Sequence, residues 1–377
     1  MGRSASLEVE EVRRGDKGED AMKALTYRGP RDVACAEVPS PVLSGDLDAI
    51  VEVTLAGICG SDLHIWGGHG FTDDIGFIVG HEAVGIVREV GAGVIGFAPG
   101  DRVLATASVG CTTCSECAAG RVSTCTFKAG KSWQSSCYGL GHALAGTQAE
   151  YLRVPNADVN LATIPDSVGD EAALVLTDNA PTAWYGCRRA RIVPGDSVLV
   201  IGLGPVGLMS VQSAIAMGAG QVLAIDPVPD RRARAQAMGA RAIDVGDDRK
   251  SQVRAVRDAT GGRGVDAVIE AVGADATIDL ALRAVRVRGR VSVIGVSQNN
   301  RFTFPMEIAQ LKELDFAIGL CSVQAELPTL LALTENGRLD PGAVVSHRLP
   351  LSEGDRAYQM YGSRSDSVCK VVLDPRL

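Results

Sequence analysis

The residues best equipped for chemistry lie in Cys59-Gly60-Ser61-Asp62-Leu63-His64, in Gly80-His81-Glu82, and at Asp178. A thiolate, an imidazole and carboxylates drawn from separate segments are donor types that zinc prefers, and a position left to water makes such a site catalytic rather than structural. Taken singly, Cys59 or His81 reads more readily as a packed or solvated residue than as a ligand, since buried cysteine commonly behaves as a small hydrophobe. Their setting favours the metal. An alternating strand over 51–58 delivers Cys59 to its end, with Gly57 and Gly60 bracketing the turn. His81 and Glu82 open a second strand, in which Ala83, Gly85 and Val87 alternate with Val84, Ile86 and Arg88. Cys59, His81 and Asp178 are therefore expected as ligands of one catalytic zinc, with Glu82 as an alternating fourth ligand or a supporting carboxylate.

Asp178 has a second reading, as the cap of a helix over 181–189, for which aspartate is well suited. Ser61, two residues from Cys59, reads as the group that takes a substrate hydroxyl proton, or else as a turn residue; Asp62 reads as a strand-end cap.

A different cluster follows. Cys111, Cys114, Cys117 and Cys125 have the spacing C-x2-C-x2-C-x7-C in a loop with Gly110 and Gly120, and four thiolates so close in sequence can close a tetrahedral structural zinc site with no open position. Cys35, Cys137, Cys187, Cys321 and Cys369 have no partner spacing and read as packing residues, and His69, His142 and His347 as lone loop histidines.

Beyond Asp178 the texture becomes strands alternating with helical segments. Ser197-Val198-Leu199-Val200-Ile201 is a continuous apolar strand, Gly202-Leu203-Gly204-Pro205-Val206-Gly207 follows at once, and 208–217 reads as a helix. In this pattern Gly202 permits a tight turn, Gly204 lets a pyrophosphate approach the backbone and Gly207 lets helix and strand pack; Pro205 suits the first helical turn. The next strand, over 221–226, ends in Asp226, nineteen residues after Gly207, where a carboxylate can accept both ribose hydroxyls and repel a 2′-phosphate. NAD is favoured over NADP, a preference that Arg231 and Arg232 weaken. Asp226 could also cap a helix over 231–238, a place that Asp230 fills better. Further βα units are expected from a helix over 252–258, a strand over 265–270, a helix over 276–284 and a strand over 290–294, with Gly273 and Gly295 just past two strand ends.

The elements that must position these groups fit the composition. The chain has 377 residues, 46% hydrophobic and 22% charged, which is long enough for two cores. A net charge of −8 argues against nucleic acid or an anionic membrane as the main partner, and no apolar run approaches a bilayer span or a signal peptide core, so a cytoplasmic location is expected. Residues 1–21 crowd charges together and read as a flexible tail, with Met22 as a possible natural start. From about Phe316 the chain reverts to a mixed texture, with a helix over 326–336 and a strand over 368–373.

In this order, the Cys59 to His64 motif, Gly80-His81-Glu82, the four-cysteine loop, the glycine turn and Asp226 closely resemble the zinc-dependent medium-chain alcohol dehydrogenases, over roughly residues 22–374. Gly146-Thr147-Gln148-Ala149-Glu150-Tyr151 and Thr177-Asp178 through Pro181-Thr182 look most like the bacterial branch that includes formaldehyde-dehydrogenase-like members. The resemblance implies an α/β architecture, with a GroES-like, mostly-β catalytic domain over 22–178 and 317–377 and a Rossmann doubly wound parallel-sheet domain over 179–316. It further implies two zinc ions per subunit, a homotetramer or homodimer, and a proton path from Ser61 through the cofactor ribose to His64. The expected cofactor contacts are Gly202, Gly204, Pro205, Val206, Gly207, Asp226, Arg231, Val272, Gly273, Gly295, Val296 and Lys370. One departure stands out: Asp178 occupies the third-ligand position, where the Cys2His set of liver-type enzymes has a second cysteine. One thiolate and one carboxylate still neutralise Zn²⁺, and the harder oxygen donor keeps the ion a stronger Lewis acid held less tightly.

The expected activity is NAD-dependent interconversion of an alcohol and an aldehyde or ketone (EC 1.1.1.-). A polyol or sugar dehydrogenase is the alternative, against which Trp66, Phe71 and Trp133 suggest an apolar pocket; a zinc-ribbon binding protein is a third reading, opposed by the acidic charge and the complete cofactor fingerprint.

Overall fold

The computed structural model describes residues 21–70, 72–125, 137–243, 248–297, 301–363 and 368–377. The flexible tail expected over 1–21 lies outside them, except for Ala21, which opens the strand Ala21–Gly29.

Two sheets organise the chain. In the first, Ala49–Ile58 is central: it pairs antiparallel with Glu82–Val90 on one side and with Lys370–Asp374 on the other, and Tyr151–Val154 pairs with its N-terminal half. The sheet continues from Glu82–Val90 through Arg102–Ala105 to Leu161–Thr163, and Val345–Pro350 forms the opposite edge. The second sheet has six parallel strands in the spatial order Arg241–Ala242, Gln221–Ile225, Ser197–Ile201, Val265–Glu270, Val285–Val293 and Asp315–Ile318. That order reverses at Ser197–Ile201, the place where a doubly wound sheet opens a crevice at its carboxyl edge.

Ser197–Ile201 shows why the continuous apolar run is needed. Val198 and Val200 face one core, with Leu208, Met209 and Val211 of the helix Pro205–Ala216, while Leu199 and Ile201 face another, with Ile278, Leu280 and Leu282 of Asp275–Ala284. A strand covered on both sides cannot alternate apolar with polar. The first of these cores also takes in Leu55, Val84 and Leu104, so the helices Asp170–Val175 and Asn179–Arg189 knit the two sheets together.

Three differences from the expected boundaries bear on the roles given to residues and domains. Asn179–Arg189 begins two residues before the expected 181, because a proline at the third helical position needs no N–H partner. Pro229–Ala237 is preceded by Val228 as its cap residue, so Asp230 lies inside the first turn rather than capping it. Asp315–Ile318 is the edge of the parallel sheet, so a return to the first domain at 316/317 cuts through a strand. Among the described residues no helix is long and apolar enough to cross a membrane.

Candidate metal centres and cofactor cleft

Ala49–Ile58 ends at Cys59, which is the cap residue of the short helix Gly60–Trp66. Asp62 closes that turn: its Oδ2 accepts from the Cys59 backbone N–H at 2.8 Å. Its Oδ1 lies 3.1 Å from His81 Nδ1. Assigning the ring proton to Nδ1 leaves the Nε2 lone pair free, the usual arrangement for a histidine that binds a metal. Nε2 lies 3.4 Å from Asp178 Oδ2 and 3.4 Å from Ser61 Oγ, and Cys59 Sγ lies 3.3 Å from the same Asp178 oxygen. Asp62 therefore does more than end a strand, and sequence reasoning missed its hold on His81.

Asp178 stands at the cap position of Asn179–Arg189, yet its side chain makes no capping bond to the backbone. It turns to Cys59 and His81 instead, while Thr182 Oγ1 donates to its Oδ1 at 3.2 Å. Burial works against its charge, but hydrogen bonding and charge from His81 outweigh it and hold the carboxyl down to about 2. Burial, with the nearby Asp178, pushes the Cys59 thiol up. Cys59, His81, Glu82 and Asp178 each offer a donor atom, all within 4.8 Å of one another. A thiol and two carboxylates around an imidazole are the complement of a divalent cation, so the donor set fits zinc.

Glu82 is fully buried, and its oxygens are spoken for: Oε1 accepts from Asn179 Nδ2 at 2.8 Å, and Oε2 is ion-paired with Lys370. Gly57 makes room for this pair, since a Cβ there would stand 1.9 Å from Glu82 Oε2. Lys370, expected among the cofactor contacts, is thus a correction. Pairing of Lys370–Asp374 with Ala49–Ile58 carries its Nζ to Glu82 and to the Ile58 carbonyl at 3.0 Å, behind the metal cluster and away from the cavity lining.

A cavity of about 830 Å³ opens from this cluster across the crevice of the parallel sheet. Ser61, His64, Gly202, Gly204, Pro205, Val206, Gly207, Asp226, Arg231, Val272, Gly295 and Val296 all line it. Gly273 does not; its N–H turns to Glu270 Oε1 at 3.0 Å. Gly207 has the tightest steric reason for its identity, because a Cβ there would fall 1.8 Å from the Gly202 carbonyl oxygen. Nothing lies within 4 Å of where a Gly204 Cβ would stand, which leaves the open space a pyrophosphate needs at the start of Pro205–Ala216. Asp226 Oδ2 accepts from Leu203 N–H at 2.7 Å and Oδ1 from Val228 N–H at 2.8 Å, which aims the carboxylate into the crevice. Arg231 Nη1 lies 3.8 Å from Asp226, and Arg232 donates to the Asp226 carbonyl at 2.8 Å. The residues present fit a dinucleotide.

At the metal end the wall is largely apolar, with Leu63, Leu140, Leu320 and the thiols of Cys137 and Cys321. Burial pushes the Cys137 thiol up to about 12 and raises that of Cys321 as well, so both stay protonated and apolar. These two cysteines had been read only as packing residues. Trp66 was expected at the pocket but packs beside Tyr358, ring centroids 6.4 Å apart, outside the lining; Phe71 and Trp133 lie outside the described residues. His64 is part-buried on the wall, and burial together with His69 lowers its pKa.

The four cysteines of the loop also converge, with Cys111 Sγ 4.0 Å from Cys117 Sγ and Cys114 Sγ 3.9 Å from Cys125 Sγ. Cys114 N–H points to Cys111 Sγ and Cys117 N–H to Cys114 Sγ, each at 3.4 Å, which is the local backbone support a thiolate cluster needs. The loop grips the cavity wall: Ser123, between Cys117 and Cys125, donates its N–H to Ser322 Oγ at 3.1 Å and its hydroxyl to the Leu320 carbonyl at 3.2 Å.

The chain matches the family "Alcohol dehydrogenase GroES-like domain" over residues 45–166 and "Zinc-binding dehydrogenase" over residues 205–336. An alcohol dehydrogenase of Cupriavidus necator is 36% identical over 373 residues, covering 94% of this chain and 99% of that one. Among solved structures, an alcohol dehydrogenase from Thermus sp. ATN1 has a TM-score of 0.86 and 41% identity, with 94% of this chain and 99% of that chain covered. A more distant chain from Sinorhizobium meliloti 1021, solved bound to NADP, has a TM-score of 0.82 and 26% identity, with 95% and 100% covered.

Proposed function

The chain belongs to the zinc-dependent medium-chain alcohol dehydrogenases, an alcohol and carbonyl oxidoreductase family, and on that premise we propose an NAD-preferring enzyme that holds two zinc ions per subunit. The observation that carries this reading is the convergence of Cys59, His81 and Asp178 at one end of the cavity whose other end is walled by the glycine turn and Asp226.

A zinc ion held by Cys59, His81 and Asp178 would supply Lewis-acid polarisation of an alcohol oxygen, and a bound nicotinamide would supply the hydride acceptor. The chain's own side chains do the rest. Ser61 Oγ, 3.4 Å from His81 Nε2, stands next to the donor cluster and accepts the substrate hydroxyl proton. His64, kept neutral near pH 7 by its lowered pKa, passes that proton to solvent. Asp226 receives the ribose hydroxyls and disfavours a 2′-phosphate, with Arg231 and Arg232 softening the preference. Leu63, Leu140, Leu320, Cys137 and Cys321 favour simple alcohols over polyols. Cys111, Cys114, Cys117 and Cys125 hold the second zinc.

We assign the catalytic domain to 22–178 with the segment beyond the parallel sheet, and the cofactor domain to the chain between. A homodimer or homotetramer is supported by the parallel sheet's open edge, where Phe316 and Ile318 are exposed. We also propose a cytoplasmic location, as the sequence reading expects.

The decisive test is a panel of primary, secondary, aromatic and sugar alcohols with NAD and NADP, read as kcat/KM, on protein whose zinc has been counted. Turnover of simple alcohols with NAD at two zincs per chain is the expected result. Sugar-only turnover, better use of NADP, or a single zinc would each overturn its own part of the proposal.

A further inference from the structure

Glu82 presents a problem that the zinc reading leaves open. Its carboxylate has a donor atom within 4.8 Å of Cys59, His81 and Asp178, so two carboxylates compete for one ion. We propose that Asn179 is a positioning residue of this centre, which holds Glu82 off the metal so that Asp178 serves as the carboxylate ligand; the inference rests on the catalytic zinc site described above.

Asn179 is the first residue of Asn179–Arg189 and is 1% exposed. Its Nδ2 lies 2.8 Å from Glu82 Oε1, 3.1 Å from Asp178 Oδ2 and 3.7 Å from Cys59 Sγ. All three are acceptors, so the orientation of the amide is set by chemistry: turned over, its oxygen would face two carboxylates. A primary amide has two N–H bonds, and here they serve the two acids separately. Glu82 is anchored at both oxygens, Oε1 by Asn179 and Oε2 by the Lys370 ammonium, so its carboxylate must give up a partner to turn to the metal. Asp178 is treated differently. Thr182 holds its Oδ1, while its Oδ2 takes only the longer 3.1 Å contact from Asn179 and lies 3.3 Å from Cys59 Sγ and 3.4 Å from His81 Nε2.

The other end of the amide adds a second observation. Asn179 lines the cavity, and its Oδ1 is buried with no hydrogen-bond partner among the described residues. A buried acceptor in that state is unfavourable unless something donates to it. The amide is therefore held in this orientation by what its Nδ2 gains from the three acceptors on the other side.

The probe is cobalt(II) in place of zinc, read by visible absorption, because the intensity of its bands falls as the coordination number rises from four to five. With Glu82 held away, Glu82→Gln leaves the cobalt spectrum of the otherwise native protein unchanged. Asn179→Leu, similar in volume but without donors, releases Glu82, weakens the bands and changes metal affinity by about 10–100-fold, the range for residues that support metal ligands. Adding Glu82→Gln to Asn179→Leu returns the band intensity. A spectral change in Glu82→Gln alone overturns the inference, and that variant does not depend on how Asn179→Leu folds. An Asn179→Leu protein with a lowered Tm and an unchanged spectrum also overturns it, because a merely structural asparagine would behave in that way. Native protein that takes up cobalt only at the four cysteines would overturn the zinc reading itself, and the inference with it.

Discussion

The chain builds two cysteine-containing clusters by opposite means. The four-cysteine loop draws every donor from 111–125, and its support is local: the N–H of each of two cysteines points at the sulfur three residues back. The other cluster draws on positions 59, 81, 82 and 178, delivered by two strand ends and a helix start, and Asp62, Asn179, Thr182 and Lys370 orient them. One is walled by its own loop; the other opens onto the cavity. A site that only has to hold an ion can be written into residue spacing. A site that must hold an ion and admit a substrate needs donors from distant segments, so that one side stays open.

Breaking each cluster should therefore have a different signature. The largest effect is expected from Asp178→Asn, which keeps the size and the Thr182 contact but loses the anionic donor. Its kcat/KM should fall more than about 100-fold, beyond the 10–100-fold range of residues that merely support ligands, with zinc dropping from two ions per chain towards one. Near-normal turnover with full zinc would refute the ligand role of Asp178.

Cys114→Ser opens the closed cluster instead, and structural zinc contributes folding energy outright. Calorimetry should show Tm lowered by ~10 °C or more, while the protein that remains folded at low temperature retains most of its turnover. If kcat collapsed at full thermal stability, the contrast between the clusters would be wrong.

His64→Ala touches neither set of donors. At neutral pH kcat should fall by about 10²-fold, the low end for a proton-transfer partner, with both zincs retained. The sign of the pH dependence follows from the lowered pKa: His64 is neutral and able to accept at pH 7 and gains its proton only below the ordinary 6.5. Alcohol oxidation should thus decline on acidification, and that limb should vanish from the variant's pH profile. Loss of zinc from His64→Ala would make His64 a ligand.

The smallest effect is expected from Asp226→Ala, at the far end of the cavity. KM for NAD should rise by about 10-fold, in line with lost hydrogen bonds to a charged group, and the gap to NADP should narrow while zinc and Tm stay nearly constant. Native enzyme that already prefers NADP would refute the role given to Asp226.

The same contrast explains what could be read from the residues in order. The cysteine loop, the glycine turn and the strand Ser197–Ile201 are local patterns, and each emerges where its spacing puts it. Cys59, His81 and Asp178 were legible by their donor types and by likeness to a known motif order. Their supporting groups were not. Lys370 meets Glu82 across 288 positions and Asn179 meets it across 97, and no periodicity encodes such pairings. An asparagine beside an aspartate looks like ordinary helix-start chemistry, so nothing distinguished Asn179 from a cap. Trp66 misled for the converse reason: an aromatic residue near a catalytic motif suggests a pocket, yet its helix turns it towards Tyr358.

The strand Lys370–Asp374, inserted between Val345–Pro350 and Ala49–Ile58, also sets a timetable. A nascent chain emerges at roughly 5–20 residues per second, so the cysteine loop can take its ion once Cys125 is clear of the ribosome. Lys370 follows 245 positions later, a delay of roughly 12–50 s at that rate. Throughout that interval Glu82 has no ammonium to face and the C-terminal residues of Ala49–Ile58 lack a neighbour along one side. The Cys59 donor cluster gains its last supporting group late in synthesis, and a truncated product that lacks this strand would carry a finished cysteine loop beside an unfinished cluster.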